Sequence, residues 1–200
     1  MSYKIITISR QCGSGGHTIG QAIAEKLNIP LYDKKILEEV ARRSGLAEDV
    51  IETEGEYSTS SMLYGIAMGI YNGWDVAQRE NMPLREQINA YQTEFIREVA
   101  EKGACVIVGR CADYILRERI DCLNVFIYGD KYDRVKRVIE EHRVPDYEAE
   151  AHVRKRDKKR AAHYKYITDR EWGDMKNYNI CLDSSALGIE KCVEIIADCV

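Results

Sequence analysis

Along the chain, short runs of mostly apolar residues alternate with longer stretches in which apolar positions recur at helical spacing. Five runs read as strands: residues 4–9, 30–32, 104–108, 123–128 and 178–182. Strands apolar on both faces are the mark of a parallel sheet with both sides covered. Helical periodicity falls on 19–27, 35–44, 84–102, 132–142 and 189–199. Strands alternating with helices predict a three-layer α/β domain around a parallel sheet. Residues 47 to 82 break the rhythm, with Met, Gly and Tyr at 61–73 and no strand pattern. This stretch reads as a helical insertion within one domain spanning 1–200.

Composition narrows the picture. A length of 200 residues fits one domain, and 45% apolar with 31% charged residues can close a core. The formal charge of −4 excludes a wholly basic nucleic-acid coat protein. The opening residues resemble no signal peptide, no apolar stretch reaches a membrane span, and the seven cysteines form no CxxC pair. Reduced core thiols in a cytoplasmic protein are therefore expected, without membrane or nucleic-acid polymer as partner. Charge is uneven: residues 131–170 hold 13 Lys/Arg and 8 Asp/Glu, a net +5, which leaves −9 elsewhere. A solvated helix face explains this, as does a mobile basic lid, about 143–170, over a small polyanion.

The chemistry concentrates after the first strand, in Arg10-Gln11-Cys12-Gly13-Ser14-Gly15-Gly16-His17-Thr18. A glycine turn between a strand and a helix start lets backbone N–H groups converge on phosphate oxygens, and the helix terminus adds partial positive charge. Residues 13–18 are thus the candidate phosphate cradle. The segment resembles the phosphate loop of cytidylate kinases, GxSGSGKGT followed by a helix close to Ala22-Ile23-Ala24-Glu25-Lys26-Leu27. It is more similar to the divergent cytidylate kinase-like family, in which ISR-x-x-GSGG replaces the usual loop. Gly16 stands where the loop lysine is usual, and His17 replaces the glycine after it. Arg10 and His17 are the local candidates for a substitute cation.

Further positions fit the same resemblance. Asp33, ending the second strand, matches an acceptor-nucleotide segment, with Lys34 and Lys35 in place of the usual Ser/Thr-Gly; it also suits a helix cap. Gly109-Arg110 matches a Gly-Arg-Asp strand end, with Cys111 in place of the acid and Asp113 a compensating candidate. Arg137 is read as structural, paired four residues on with Asp133. Residues 156–161 resemble the RDxxRA lid, which implies that Asp157 contacts the acceptor while Arg156 and Arg160 hold the transferring phosphate. The aromatic and basic residues 163–174 are expected to pack as a lid hinge.

The resemblance implies a P-loop kinase fold with a helical insertion and a basic lid, using ATP as phosphoryl donor with Mg²⁺ held through Thr18. The implied activity is phosphoryl transfer to a small nucleotide-like acceptor, CMP or dCMP first. Two alternatives stay open: a nucleotide-binding regulatory protein that has lost catalysis, and a kinase for another small acceptor. A homo-oligomer built on the insertion is a further expectation.

Overall fold

The computed structural model describes residues 3–48, 50–51 and 82–200. Most of the expected helical insertion, residues 49 and 52–81, lies outside the described residues.

All five expected strands form, as β1 (Ile5–Arg10), β2 (Leu31–Tyr32), β3 (Cys105–Val108), β4 (Cys122–Tyr128) and β5 (Ile180–Asp183). They make one parallel sheet in the order β2-β3-β1-β4-β5. β1 lies at its centre, with Ile5 opposite both Cys105 and Cys122. Helices α1 (Gly16–Leu27), α2 (Lys34–Ser44) and α3 (Leu84–Lys102) precede β3; α4 (Ala112–Ile115) is one turn. After β4 come α5 (Lys131–His142), α6 (Asp146–Thr168), the single turn α7 (Ser184–Leu187) and α8 (Ile189–Ala197).

The period-2 pleat divides the sheet's side chains between two cores. Ile6, Ile8, Val106, Val108, Val125 and Ile127 pack against Ile19 and Ile23 of α1 and Cys192 and Ile196 of α8. Ile5, Cys105 and Ile107 turn to the other face, where Ile36 and Val40 of α2 meet Ile88, Phe95 and Ile96 of α3. The result is a three-layer α/β domain. No described helix is long and apolar enough to cross a membrane.

Local chemistry fixes the helix ends. Asp130 caps α5 by accepting from the Tyr132 amide at 2.7 Å, and Asp183 caps α7 through the amides of Ser185 and Ala186. α1 begins three residues before its apolar pattern does, because Gly15, with φ +75°, turns the chain straight into the helix. Most of the basic segment expected as a lid, about 143–170, forms one 23-residue helix, α6. Its C-terminal end is anchored by buried Tyr164, Tyr166 and Ile167 beside Cys111. Trp172 packs edge-on to Phe126, ring centroids 5.4 Å apart, and donates to Ser9 Oγ at 3.1 Å.

Candidate functional site

In an open α/β sheet, ligand-binding residues gather where the strands' carboxyl ends meet. Here those ends deliver Arg10 from β1, Asp33 from β2, Gly109-Arg110 from β3 and Gly129-Asp130 from β4.

The cradle comes first. Gly13 and Gly15 both take positive φ, +74° and +75°, folding residues 13–18 into the start of α1. No side chain caps that helix, and no acid occupies its first turn. The leading amides of a helix have no acceptors within it, so this terminus presents donors and partial positive charge to an anion. Ser14 is buried with its hydroxyl donating to the Gln11 carbonyl, which fixes the bend from inside. Thr18 is exposed in the first turn. A β-carbon at Gly13 would run into the backbone carbonyl of Arg134, so loop and α5 meet without room for a side chain.

Beside the cradle lies a cavity of about 410 Å³ lined by Arg10, Arg110, Arg156, Arg160, Lys34 and His163, with Asp33, Glu38 and Glu48 on its acidic side. The structure thus brings together Arg10, Asp33, Arg110, Arg156 and Arg160 among the sequence-derived candidates. His17 stands at the rim, its Nδ1 2.7 Å from Asp33 Oδ2. Asp33 also faces the Arg10 guanidinium at 3.9 Å. Burial, then Arg160 and Arg110, push the Arg10 guanidinium down to about 9, with Asp33 acting the other way. It therefore stays charged at neutral pH. His163 is held neutral: burial first, then Arg110 and Arg85, lower it to about 3. Both its ring nitrogens are buried without a hydrogen-bond partner among the described residues.

Arg110 is delivered by unusual backbone. Gly109, Arg110 and Cys111 take φ of +77°, +58° and +54° in succession, and the Arg110 carbonyl accepts from Gln92 Nε2 at 3.2 Å. Left-handed residues other than glycine are strained, and such strain persists where surrounding contacts impose it. The kink turns Cys111 into the core, only 6% exposed, where burial holds its thiol well above the usual range. Cys111 therefore does not line the cavity. Neither does Asp113, so it does not compensate for the acid that Cys111 replaces. Its buried carboxyl accepts from the Tyr164 hydroxyl at 2.7 Å.

Burial raises Asp113 to about 6 from 3.8, against the lowering effect of the Tyr164 hydrogen bond. A folded-state pKa above the unfolded one means that the native state holds the proton more tightly. The associated stability is full below about pH 4 and is lost as pH rises through 6, a span of about 3 kcal/mol. Asp113→Asn, which keeps the hydrogen bond, is expected to raise Tm at pH 7.5 and to flatten its dependence between pH 4 and 7. Parallel melts of the two proteins with an unchanged slope would show that Asp113 does not set it.

Asp157 and Arg160 tie helix α6 to the loop, and Asp157 also ties it to α5. Asp157 accepts the Cys12 amide at 2.7 Å on one oxygen and the Arg134 guanidinium at 2.6 Å on the other. Arg160 donates to the Arg10 carbonyl at 2.9 Å. Asp157 thus faces the loop rather than lining the cavity. Arg134 also donates to the carbonyls of Cys12 and Gly129. Arg137 donates to the Gly13 carbonyl at 2.6 Å and pairs with Glu141 at 3.8 Å, which corrects its expected pairing with Asp133. Both arginines hold the loop and were absent from the sequence-derived site. Their position in the first turns of the helix after a strand end was the available signal.

Comparison with known proteins adds independent findings. The sequence profile described as "Cytidylate kinase-like family" matches residues 5–186. A cytidylate kinase of Methanopyrus kandleri is 23% identical over 190 residues, 90% of this chain and 84% of that one. Among solved structures, an uncharacterized protein from Eubacterium ventriosum superimposes with a TM-score of 0.71 at 30% identity, covering 97% of this chain and 96% of that one. A shikimate kinase from Bacteroides thetaiotaomicron gives 0.52 at 17% identity with the same coverage, a likeness of fold.

Proposed function

Since the chain belongs to the cytidylate kinase-like family, whose profile spans residues 5–186, we propose that it transfers the terminal phosphoryl group of ATP to a small nucleotide-like acceptor, with CMP or dCMP the first candidates. The observation that carries this reading is the junction of an uncapped glycine cradle with a cavity lined by four arginines.

In this reading residues 13–18 hold the donor phosphates on backbone amides, and the Thr18 hydroxyl helps to hold Mg²⁺. The ion, when bound, would supply positive charge against the donor's phosphates. Phosphoryl transfer demands alignment and charge stabilisation more than covalent chemistry, and the arginines provide both. Arg110 and Lys34, with Asp33, receive the acceptor. Arg156 and Arg160 reach the moving phosphoryl from α6, and Arg10 and His17 stand where a loop cation is needed. Asp157 and Arg134 position α6 on the loop, which makes α6 the lid. An acceptor that is already a phosphate dianion needs no general base.

A kinase for a different small acceptor is the second reading. Cys111, at the position of the family's acid, is buried against Tyr164 and does not reach the cavity. Incubation with Mg·ATP and a panel of CMP, dCMP, UMP, AMP and small hydroxylated acids, followed by ADP release and product mass, tests both. Fastest turnover with CMP or dCMP is expected. Turnover only with another acceptor favours the second reading. ATP binding without transfer to any acceptor would replace both by the regulatory alternative.

A further inference from the structure

The missing loop lysine has a structural explanation that reaches beyond the choice of a nearby cation. Set against the pattern GxSGSGKGT, Arg10 occupies the position of the first glycine, and Gly16 that of the lysine. The two departures fall on residues that touch. A β-carbon on Gly16 would lie 2.5 Å from Arg10 Cβ and 2.8 Å from its Cγ, closer than carbon atoms can approach. Only one of these two positions can therefore carry a side chain. From position 10 the Arg10 stem crosses the Gly16 Cα and continues over Gly109, where a β-carbon would meet its guanidinium. The head group ends in the arginine cavity, 3.9 Å from Asp33.

We infer that positions 10 and 16 have exchanged roles: Arg10, threaded over Gly16, is the catalytic cation of the loop, reaching from the end of β1 the place that the lysine serves from the start of α1. The inference rests on the kinase reading above and narrows it. His17 is set aside as that cation, because its side chain is 52% exposed and its Nδ1 is engaged by Asp33. Arg10 lies at the boundary between cradle and acceptor cavity, where a phosphoryl group in transit is neutralised from both sides. A planar fork with several donors suits such a site, since it can grip oxygens of two phosphates at once. The two glycines flanking its stem follow from the same geometry: Gly16 and Gly109 leave the channel that the side chain fills.

The exchange predicts a specific pattern of rescue. Arg10→Met keeps the stem against Gly16 and removes the charge; it should fold, by its circular dichroism and melting curve, yet lose at least 100-fold in kcat. Gly16→Lys alone should fall in Tm without gaining activity. Arg10→Gly with Gly16→Lys should recover at least tenfold over Arg10→Gly, because the next neighbour of a β-carbon at 16 is Ile127 Cβ at 3.6 Å, an ordinary contact. Arg10→Ala with Gly16→Lys should not recover, since the alanine β-carbon still blocks position 16. Equilibrium binding of ATP, ADP and AMP gives a readout independent of transfer. Loss of the preference for ATP over AMP in Arg10→Met, with its return only in the glycine–lysine double variant, supports the exchange even where no acceptor is turned over. A wild-type chain that transfers phosphate while Arg10→Met keeps both rate and preference overturns the exchange and leaves the kinase reading standing. Failure of the wild type to bind ATP overturns both.

Discussion

Replacing Arg160 by alanine is expected to lower turnover by about 10³-fold or more while leaving the fold in place. Arg160 sits in the basic helix with its guanidinium at the arginine cavity, held there by one hydrogen bond to the Arg10 carbonyl at 2.9 Å. Loss of a single bond of that kind alters stability by about 1 kcal/mol. Loss of a guanidinium that neutralises a phosphoryl group in transit raises the barrier by about 4 kcal/mol or more. The two effects separate cleanly when steady-state rates and melting curves are taken on one preparation. Equal turnover in the two proteins would remove α6 from the mechanism and return it to the status of a solvated basic helix.

Gly13→Ala is expected to be the most damaging small substitution in the loop. Alanine at φ +74° carries a left-handed penalty of about 1–2 kcal/mol. The greater problem is steric: its β-carbon would overlap the Arg134 carbonyl and lie 3.0 Å from Val138 Cγ2. Backbone cannot swing aside as a side-chain tip can, so loop and α5 must separate. That movement also pulls on Arg134, which bonds the Cys12 carbonyl, and on Arg137, which bonds the Gly13 carbonyl. A total loss above about 3 kcal/mol corresponds to a fall in Tm of about 6–12 °C for a chain of this size. Gly45→Ala is the matched control, with a similar φ of +72° and nothing within 4 Å of the added carbon. It should show the conformational penalty alone. Equal Tm shifts in the two variants would mean that close approach at Gly13 contributes nothing.

The order of elements was legible because each strand is apolar on both faces, and all five occur within two residues of their expected bounds. The one-turn helices α4 and α7 escaped, because four residues are too few to show a period and they depend on tertiary placement. The cradle was visible in its glycines. The arginines at strand ends were visible as well, since burying the last residues of a strand leaves a following Arg at the carboxyl edge of the sheet. Contacts that depend on how α6 lies across the loop were not. Asp157 on the Cys12 amide joins residues 145 positions apart, and no spacing rule reaches that far. Nor could composition reveal that Cys111 turns inward, because that follows from three consecutive left-handed residues. The relation between Arg10 and Gly16 was present in the letters but became meaningful only once their atoms were seen to compete for one space.

The gathering of four guanidinium groups around a single hollow has a thermodynamic consequence. Arg160 and Arg110 both press on the buried Arg10 guanidinium, with Asp33 pulling the other way. In the kinase reading a dianion of fitting size would relieve that repulsion as it forms its own contacts, so a rise in melting temperature with ligand concentration is expected.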